Sequence, residues 1–286
     1  MVHATAEGIQ RDLVVGGVRV DSKTSYAGVA DADVVTSIDL AAQQQLVNLA
    51  GKLMPPEVGW IGEERGLKRA PRGAGPSIVL TFDPADGTRK LVEAVGAKRR
   101  PVPGEVSVML GVQVNGKAMA GYICDVASLV TFARPMYGSQ VVQIGPTKFT
   151  VNTSDLPRVA RLDMATLLRH GDRPTASPLT DRVVDKFARV EQDKSSIGLS
   201  IARIFTGEIA GMLRLSGMHV TPWDDTPVQA LCQQGDVLML RVGPDRLQQI
   251  TFSPLDRITR QDYDVLYIHR SYLRELRQLT TVVTSN

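Results

Sequence analysis

One short stretch constrains the fold more than any other part of the sequence. The apolar run SIVLTF, residues 77–82, is typical of a buried β-strand, and it leads directly into DPADGT, residues 83–88. Pro84 fixes its own φ and favours an extended residue before it, while Gly87 permits a tight turn. Two carboxylates can therefore point to one place at the end of the strand. This all-oxygen arrangement is what hard cations such as Mg²⁺ need.

The same turn offers groups for a phosphate as well as for a metal ion. The backbone carbonyl of Ala85 provides a third oxygen beside the carboxylates of Asp83 and Asp86. Thr88 has a hydroxyl and an amide at a predicted helix start, a position suited to phosphate. An Asp-Gly turn on its own is most often only a turn, so the chemistry depends on what else lies nearby.

Three acidic residues elsewhere in the chain fit the same chemistry. Glu63 follows a glycine at the end of a strand-like run, Asp224 follows Pro-Trp in a predicted turn before a helix, and Asp39 lies in VVTSID. Each has an ordinary alternative, since a Gly-Glu-Glu turn is usually solvated and Asp224 is a suitable N-cap. Together they form a carboxylate cluster that repels itself unless a cation or protons lie within it. The sequence thus favours a metal site where several element ends converge.

Strands and helices alternate unevenly along the chain, which predicts a layered mixed domain rather than a helical bundle, a barrel or a repeat array. Residues 105–114 and 117–126 are predicted to be strands joined by a hairpin at Asn115-Gly116. The segment GVQVNGKA, residues 111–118, matches most of the P-loop motif but ends in alanine where the motif needs a hydroxyl. The predicted hairpin is therefore the better interpretation of this segment. A mixture of turn and helix is expected over 153–174.

Composition limits the class of protein. At 286 residues with 43% hydrophobic content the chain can fill a sizeable core, and 33 basic against 30 acidic residues give no strong field for nucleic acid. Cys124 and Cys232 form neither a metal-binding pair nor a disulfide framework. The start lacks a signal-peptide pattern, and no apolar run approaches the roughly 20 residues that span a bilayer. We therefore expect a cytoplasmic protein without a membrane or nucleic-acid partner.

The combination of GEE, DPADGT and WD before a helix resembles the inositol monophosphatase superfamily, the lithium-sensitive, magnesium-dependent phosphatases. The resemblance runs from VVTSID to DVLYIHRSYLREL, and its most specific motif is DPADGT. It implies an α/β fold, a layered αβαβα sandwich of the inositol monophosphatase and fructose-1,6-bisphosphatase type. Residues 1–150 would form an α+β metal-binding half, and residues 151–286 an α/β half that contributes Asp224 and substrate contacts.

The resemblance also implies roles for individual residues. The implied ligands for two or three Mg²⁺ ions, with Mn²⁺ as a substitute, are Glu63, Asp83, the carbonyl of Ala85, Asp86 and Asp224. Thr88 and Glu63 would position and activate the attacking water, with Asp39 close to the threonine. Gly87 and Thr88 would bind phosphate through their amides. Ser196 lies at the start of a segment similar to the family's substrate helix.

The substrate follows less directly from the motifs. DGTRKL and GEVSV resemble the DGTKEF and GEFTV pattern of 3'-phosphoadenosine 5'-phosphate phosphatases, so that nucleotide or a related bisphosphate is the first expectation. Inositol monophosphate is the alternative, followed by sugar bisphosphates and histidinol phosphate. The basic run 97–100, AKRR, is either a solvated loop or a site for the second phosphate of a bisphosphate.

Two questions stay open at the level of sequence. A non-catalytic regulatory or binding relative is the alternative from another class, because WDDTPV departs from the family's usual small residues after WD. The oligomeric state is also open, with a homodimer among the options because relatives are often dimers.

Overall fold

The computed structural model describes residues 1–23, 33–138, 140–144, 147–150, 156–172, 174–193, 195–233, 236–253 and 255–284. Two mixed β-sheets and the helices that cover them account for most of these residues. The α-helices are α1 (Val2–Val15), α2 (Ser37–Leu53), α3 (Thr88–Gly96), α4 (Pro178–Val184), α5 (Ile197–Phe205), α6 (Pro222–Gln233) and α7 (Leu273–Leu279).

The first sheet follows a short antiparallel ribbon of β1 (Val20–Lys23) and β2 (Asp33–Thr36). Its strands are β3 (Gly59–Gly62), β4 (Lys68–Arg69), β5 (Ile78–Asp86), β6 (Ser107–Val114), β7 (Lys117–Asp125), β8 (Val130–Arg134), β9 (Val141–Ile144) and β10 (Thr147–Thr150). They lie in the order β10-β9-β8-β7-β6-β5-β3-β4, and only β3 and β5 run parallel to each other.

The second sheet is built from the later part of the chain. Its strands are β11 (Thr166–His170), β12 (Arg189–Asp193), β13 (Gly211–Arg214), β15 (Val237–Val242), β16 (Arg246–Gln249), β18 (Asp264–His269) and β19 (Thr281–Val283). The order is β12-β11-β13-β18-β15-β16-β19, with β12, β11 and β13 parallel. A separate ribbon pairs β14 (His219–Val220) with β17 (Thr259–Arg260).

Three apolar clusters define the layers. Ile9 of α1 and Leu46 of α2 pack with Phe82 on the outer face of the first sheet. Helices α5 and α6 lie between the sheets, in a cluster that joins side chains of both, while α4 and α7 cover the far face of the second sheet. The order helix, sheet, helix, sheet, helix confirms the predicted layered α/β sandwich. The division of the chain at about residue 150 stays a prediction.

Several predicted elements are confirmed at their positions. The strand before DPADGT, the helix that begins at Thr88 and the 107–125 hairpin are all present, and Asn115 and Gly116 adopt φ values of 51° and 74° at its turn. The P-loop-like segment therefore connects two strands, whereas a P-loop connects a strand to a helix. None of the helices in the described part of the chain is both long and apolar enough to span a membrane. The cytoplasmic location stays a prediction.

Two local predictions were wrong. Of the segment 153–174, in which helix was expected, the described residues form a single 3₁₀ turn at Leu162–Met164 and the strand β11. Leu167 and Leu168 are buried within a sheet, and a short apolar run of this kind does not distinguish a strand from a helix. The second error concerns Asp224, which is not in a turn before a helix. Helix α6 begins at Pro222, a residue favoured at the first helical position.

Helix α6 approaches the first sheet closely because two glycines face it. Gly111 of β6 and Gly121 of β7 lie directly opposite each other in the hairpin. A Cβ on Gly111 would lie 2.6 Å from the Cγ2 of Thr226, and a Cβ on Gly121 would lie 2.3 Å from the carbonyl oxygen of Pro227. These distances are too short for real contacts, so the glycine pair makes room for Thr226 and Pro227 on α6.

This close packing predicts a stability effect. Gly121→Ala should lower the free energy of unfolding by about 1–3 kcal/mol, because its methyl group would overlap backbone that cannot move without shifting α6. Gly51→Ala is the matched control, since Gly51 is an exposed helical glycine with nothing within 4 Å of the added Cβ, and it should leave stability equal or higher. Urea unfolding of both variants measures the difference, and equal stabilities would contradict the close approach of α6.

Candidate metal and phosphate site

The end of strand β5 carries the first two carboxylates of the site. Asp83 and Asp86 both pair with β6, and the register of β5 against β6 shifts between them. The backbone N–H of Ala85 donates to Oδ1 of Asp83 at 2.9 Å, which fixes that carboxylate. Gly87 then turns the chain at φ 97°, a left-handed conformation that favours glycine, and a Cβ there would lie 2.3 Å from the carbonyl oxygen of Glu105.

The third carboxylate comes from helix α6 of the second half of the chain. Asp224 lies in the first turn of α6, and the Thr221 hydroxyl donates to its Oδ2 at 2.7 Å. Carboxylate oxygens of Asp83, Asp86 and Asp224 all lie within 4.8 Å of one another. The structure therefore brings together three of the predicted metal ligands. They come from sequence positions about 140 residues apart.

Burial and mutual repulsion shift the titration of this group. Burial, followed by the charges of Glu63, Asp224 and Asp86, raises the pKa of Asp83 well above its ordinary value. Burial also raises the pKa of Asp86 to about 6, against the effect of hydrogen bonds from Ser196 and Gly198. The pKa of Asp224 is likewise raised to about 6, by burial and then by the charges of Asp86 and Asp225. Without a counter-charge, these three carboxylates therefore keep protons to a higher pH than an ordinary aspartate does.

Glu63 lies beside the three carboxylates without belonging to the group within 4.8 Å. It follows β3 directly, and its backbone N–H donates to the carbonyl of Phe82 at 3.1 Å, in the neighbouring parallel strand. Its negative charge contributes to the raised pKa of both Asp83 and Asp86. A role for Glu63 as a metal ligand stays a prediction.

Thr88 and Asp39 form a hydrogen-bonded pair at the first turns of two helices. The Thr88 hydroxyl lies 3.1 Å from Oδ1 of Asp39 and 3.0 Å from the carbonyl oxygen of Ala85, and both are acceptors. Asp39 is fully buried, and its Oδ2 accepts from the N–H of Thr36 at 2.8 Å and from the Thr36 hydroxyl. The capping box of α2 thus fixes Asp39, and Asp39 in turn fixes the Thr88 side chain.

Ser196 contacts the metal-site carboxylate Asp86 in the structure. Its hydroxyl donates to Oδ2 of Asp86 at 2.5 Å, and it also caps α5 by accepting from Leu199 N–H at 3.0 Å. The N–H of Gly198 donates to the same Asp86 oxygen at 3.0 Å. Ser196 is fully buried and bonded in this way, so a contact with substrate stays a prediction. Gly198 was missed in the sequence, although it lies in the segment that resembles the substrate helix.

The residues that replace the family's small ones after WD each have a defined partner. Asp225 is fully buried and forms an ion pair with Arg214, the last residue of β13. Thr226 faces Gly111 and accepts a hydrogen bond from the amide of Gln113 at 2.8 Å. Burial alone would lower the pKa of Arg214, but the charge of Asp225 raises it above the ordinary value. The unusual WDDTPV segment is therefore a well-packed helix start.

The basic run after α3 has a structural role for one of its arginines. The Arg99 guanidinium donates to both carboxylate oxygens of Glu105, at 2.7 and 2.9 Å. The carbonyl of Glu105 is the group that lies against Gly87. Arg99 therefore stabilises the loop that packs on the turn at Gly87. Binding of a second phosphate by this run stays a prediction.

The comparison with protein families agrees with this geometry. A profile of the inositol monophosphatase family matches residues 5–234. The chain belongs to the inositol monophosphatase family. Members of this family are Mg²⁺-dependent phosphatases that hydrolyse phosphoric monoesters, which confirms the predicted enzyme class. No match is found among curated protein sequences.

Solved structures of family members are similar to this chain over nearly its whole length. The extragenic suppressor protein SuhB from Bartonella henselae has 14% identity, covers 97% of this chain and 95% of its own, and gives a TM-score of 0.68. The inositol monophosphatase (IMPase) of Thermotoga maritima has 16% identity, 97% and 92% coverage and a TM-score of 0.65. An IMPase/NADP phosphatase complexed with Mg²⁺ and phosphate has 15% identity, 96% and 90% coverage and a TM-score of 0.65. At these identities the likeness shows the fold.

The donor set fits the metal that the family uses. Three carboxylates, one buried and two partly buried, have oxygens within 4.8 Å of one another and form an oxygen-only site, which suits a hard divalent cation. Burial raises the pKa of all three carboxylates, and the charges of neighbouring carboxylates raise it further. A cation at this position would offset both effects. The number of ions stays a prediction.

The raised pKa values predict how stability depends on pH without metal. Asp224 has a folded-state pKa of about 6, above its unfolded value, so its contribution to stability is fully present below about pH 4 and is lost as pH rises through 6. In chelator, we therefore expect the Tm of Asp224→Asn to rise relative to that of the parent protein as the pH increases. The difference between the two Tm values should grow by a few °C between pH 5 and pH 7.5. Thermal unfolding at both pH values measures this.

Excess Mg²⁺ provides the control for that experiment. At pH 7.5 it should raise the Tm of the parent protein more than that of Asp224→Asn, because the cation replaces the proton as counter-charge. A Tm difference between the two proteins that does not change with pH or metal would contradict the electrostatic account of the site.

Proposed function

We propose that this protein hydrolyses the phosphate monoester of a small phosphorylated metabolite in the presence of Mg²⁺. The observation that carries the proposal is the convergence of Asp83, Asp86 and Asp224 within 4.8 Å, beside the start of α3. Three carboxylates this close together need a cation to offset their charge. The adjacent helix start offers N–H groups to an anion.

The proposed metal ligands lie at the ends of strands and the starts of helices. Asp83, Asp86 and Asp224 would hold the ions, with Glu63 and the carbonyl of Ala85 as further oxygen donors. Two or three ions are proposed, with Mn²⁺ as a substitute for Mg²⁺. When bound, Mg²⁺ neutralises phosphate charge and lowers the pKa of water.

The phosphate-binding and water-orienting side is assigned to the start of α3. The first N–H groups of a helix have no acceptor within the helix, so those of Gly87 and Thr88 would bind phosphate oxygens. The one hydrogen of the Thr88 hydroxyl is directed to Asp39 or to the Ala85 carbonyl, which leaves the oxygen lone pairs free to accept a hydrogen bond from the attacking water. Glu63 would accept from the same water.

We propose 3'-phosphoadenosine 5'-phosphate, or a related nucleotide bisphosphate, as the substrate. The support is the resemblance of DGTRKL and GEVSV to the corresponding motifs of phosphatases for that nucleotide. Inositol 1-phosphate is the second candidate, because the chain belongs to the inositol monophosphatase family and one similar structure is an IMPase/NADP phosphatase bound with D-inositol-1-phosphate. Sugar bisphosphates and histidinol phosphate follow.

Phosphate release tests the proposal directly. The panel is 3'-phosphoadenosine 5'-phosphate, inositol 1-phosphate, fructose 1,6-bisphosphate and histidinol phosphate, each with Mg²⁺ or excess chelator. Asp83→Asn should abolish turnover because it removes a central metal ligand. Asp163→Asn, an exposed aspartate paired with Arg161 away from the site, should leave turnover unchanged.

The outcomes separate the alternatives. Turnover of the nucleotide above the other substrates, only with Mg²⁺, supports the first choice, whereas preference for inositol 1-phosphate replaces it. Turnover that persists in chelator contradicts the metal-dependent mechanism. Mg²⁺ binding by calorimetry without turnover of any substrate would favour the non-catalytic alternative.

The hydroxyl of Thr88 gives a second, narrower prediction. Thr88→Ala should lower kcat by about 10²-fold or more with a smaller effect on KM, because the group that orients water is lost while the amides remain. Thr88→Ser keeps the hydroxyl at the same position and should retain much of the activity. Steady-state kinetics on the best substrate measure both variants, and equal losses would show that the hydroxyl is not what matters.

A further inference from the structure

Helix α6 begins with an unusual division of hydrogen bonds. Thr221 is placed as its N-cap, and the Thr221 hydroxyl accepts from the N–H of Asp224 at 3.2 Å. The backbone N–H of Thr221 donates to Oδ2 of Asp225 at 2.7 Å. The N–H of Asp225 in turn donates to the carbonyl of Thr221 at 3.0 Å.

This arrangement differs from an ordinary capping box in one respect. In a capping box the residue three after the N-cap folds its side chain back onto the N-cap N–H. Here that residue is Asp224, whose Oδ2 accepts from the Thr221 hydroxyl at 2.7 Å and whose carboxylate lies with those of Asp83 and Asp86. Asp225 accepts the N–H instead, so the Asp224 carboxylate stays directed at the other two.

Arg214 holds the Asp225 carboxylate in place. Its guanidinium donates from Nη1 to Oδ1 of Asp225 and lies 3.4 Å from Oδ2 through Nη2. Nη2 also donates to the carbonyl of His219. Arg214 and Asp225 have side chains only 2% and 0% exposed, so each charge depends on the other. The pair thereby links the end of β13 in the second sheet to the first turn of α6.

We propose that Arg214 and Asp225 are positioning residues that set the orientation of Asp224 for metal binding. This inference rests on the proposed function, because it requires that Asp224 is a metal ligand. Hydrogen bonds that orient a metal ligand typically contribute about 10- to 100-fold to metal affinity. Here they run from Arg214 to Asp225, from the Thr221 N–H to Asp225, and from the Thr221 hydroxyl to Oδ2 of Asp224. An effect of this size is expected here even though neither residue touches the ion.

The test must separate positioning from general stabilisation. Asp225→Ala leaves Arg214 buried without a counter-charge and is expected to unfold easily. The double variant Arg214→Met with Asp225→Leu removes both charges together, and such apolar replacements often preserve stability. It keeps the fold but removes the acceptor for the Thr221 N–H. Leu276→Ala is the control, since it opens the fully buried core around α7 on the far side of the second sheet.

Mg²⁺ affinity is measured by calorimetry at a temperature where every variant is folded, alongside Tm. Trp223, next to Asp224, gives a second readout, because in a Trp60→Phe background it is the chain's single tryptophan and its fluorescence reports on the start of α6. The double variant should bind Mg²⁺ about 10- to 100-fold more weakly at near-parental Tm, with an altered Trp223 response. Leu276→Ala should lose Tm and keep its affinity. Arg214→Lys should retain part of the Mg²⁺ affinity that the double variant loses.

The results distinguish this proposal from the one on which it rests. If the parent protein binds no Mg²⁺, the proposed function fails first. If the parent binds and the folded double variant binds equally well, the proposed function stands and the positioning role is overturned.

Discussion

Three carboxylates held within 4.8 Å of one another, one buried and two partly buried, are the constraint on which the site depends. Their like charges and their burial oppose such an arrangement, as the raised pKa values of all three show. Many contacts elsewhere in the molecule must therefore hold them together. A divalent cation reverses the sign of this effect, since it converts the repulsion into attraction to a common centre. The same cluster that weakens the metal-free fold is thus the proposed source of metal affinity.

Each carboxylate is held by a different part of the fold. Asp83 is fixed by the backbone of its own turn, Asp86 by donors at the start of α5, and Asp224 by the cap of α6. The starts of α3, α5 and α6 are therefore all part of this region, and helix N-termini favour negative charge. The geometry comes from the ends of rigid elements, with little contribution from long loops.

The parts of the site that depend on residues adjacent in sequence could be predicted from turn and periodicity rules. The strand that ends in DPADGT, the helix start at Thr88 and the left-handed Gly87 follow from turn and periodicity rules, and the structure has all three. The ion pair between Arg214 and Asp225 could not be predicted, because it joins a strand end to a helix start through the fold. The exchange of capping roles between Asp224 and Asp225 was missed for the same reason, although Thr221 three residues before Asp224 is a recognisable capping signal. Substrate identity depends on side chains that line the space around the phosphate, and the motifs that hold metal do not specify those.

Helix α6 belongs by sequence to the second half of the chain, yet it packs against β5, β6 and β7 of the first sheet through the facing glycines Gly111 and Gly121. The two halves consequently share a layer of core. Separating them would expose that apolar layer and remove the third carboxylate in one event, so we expect folding of the sandwich and assembly of the metal site to be a single cooperative transition. A fragment that ends near residue 150 would have neither the cover for its sheet nor a complete set of ligands.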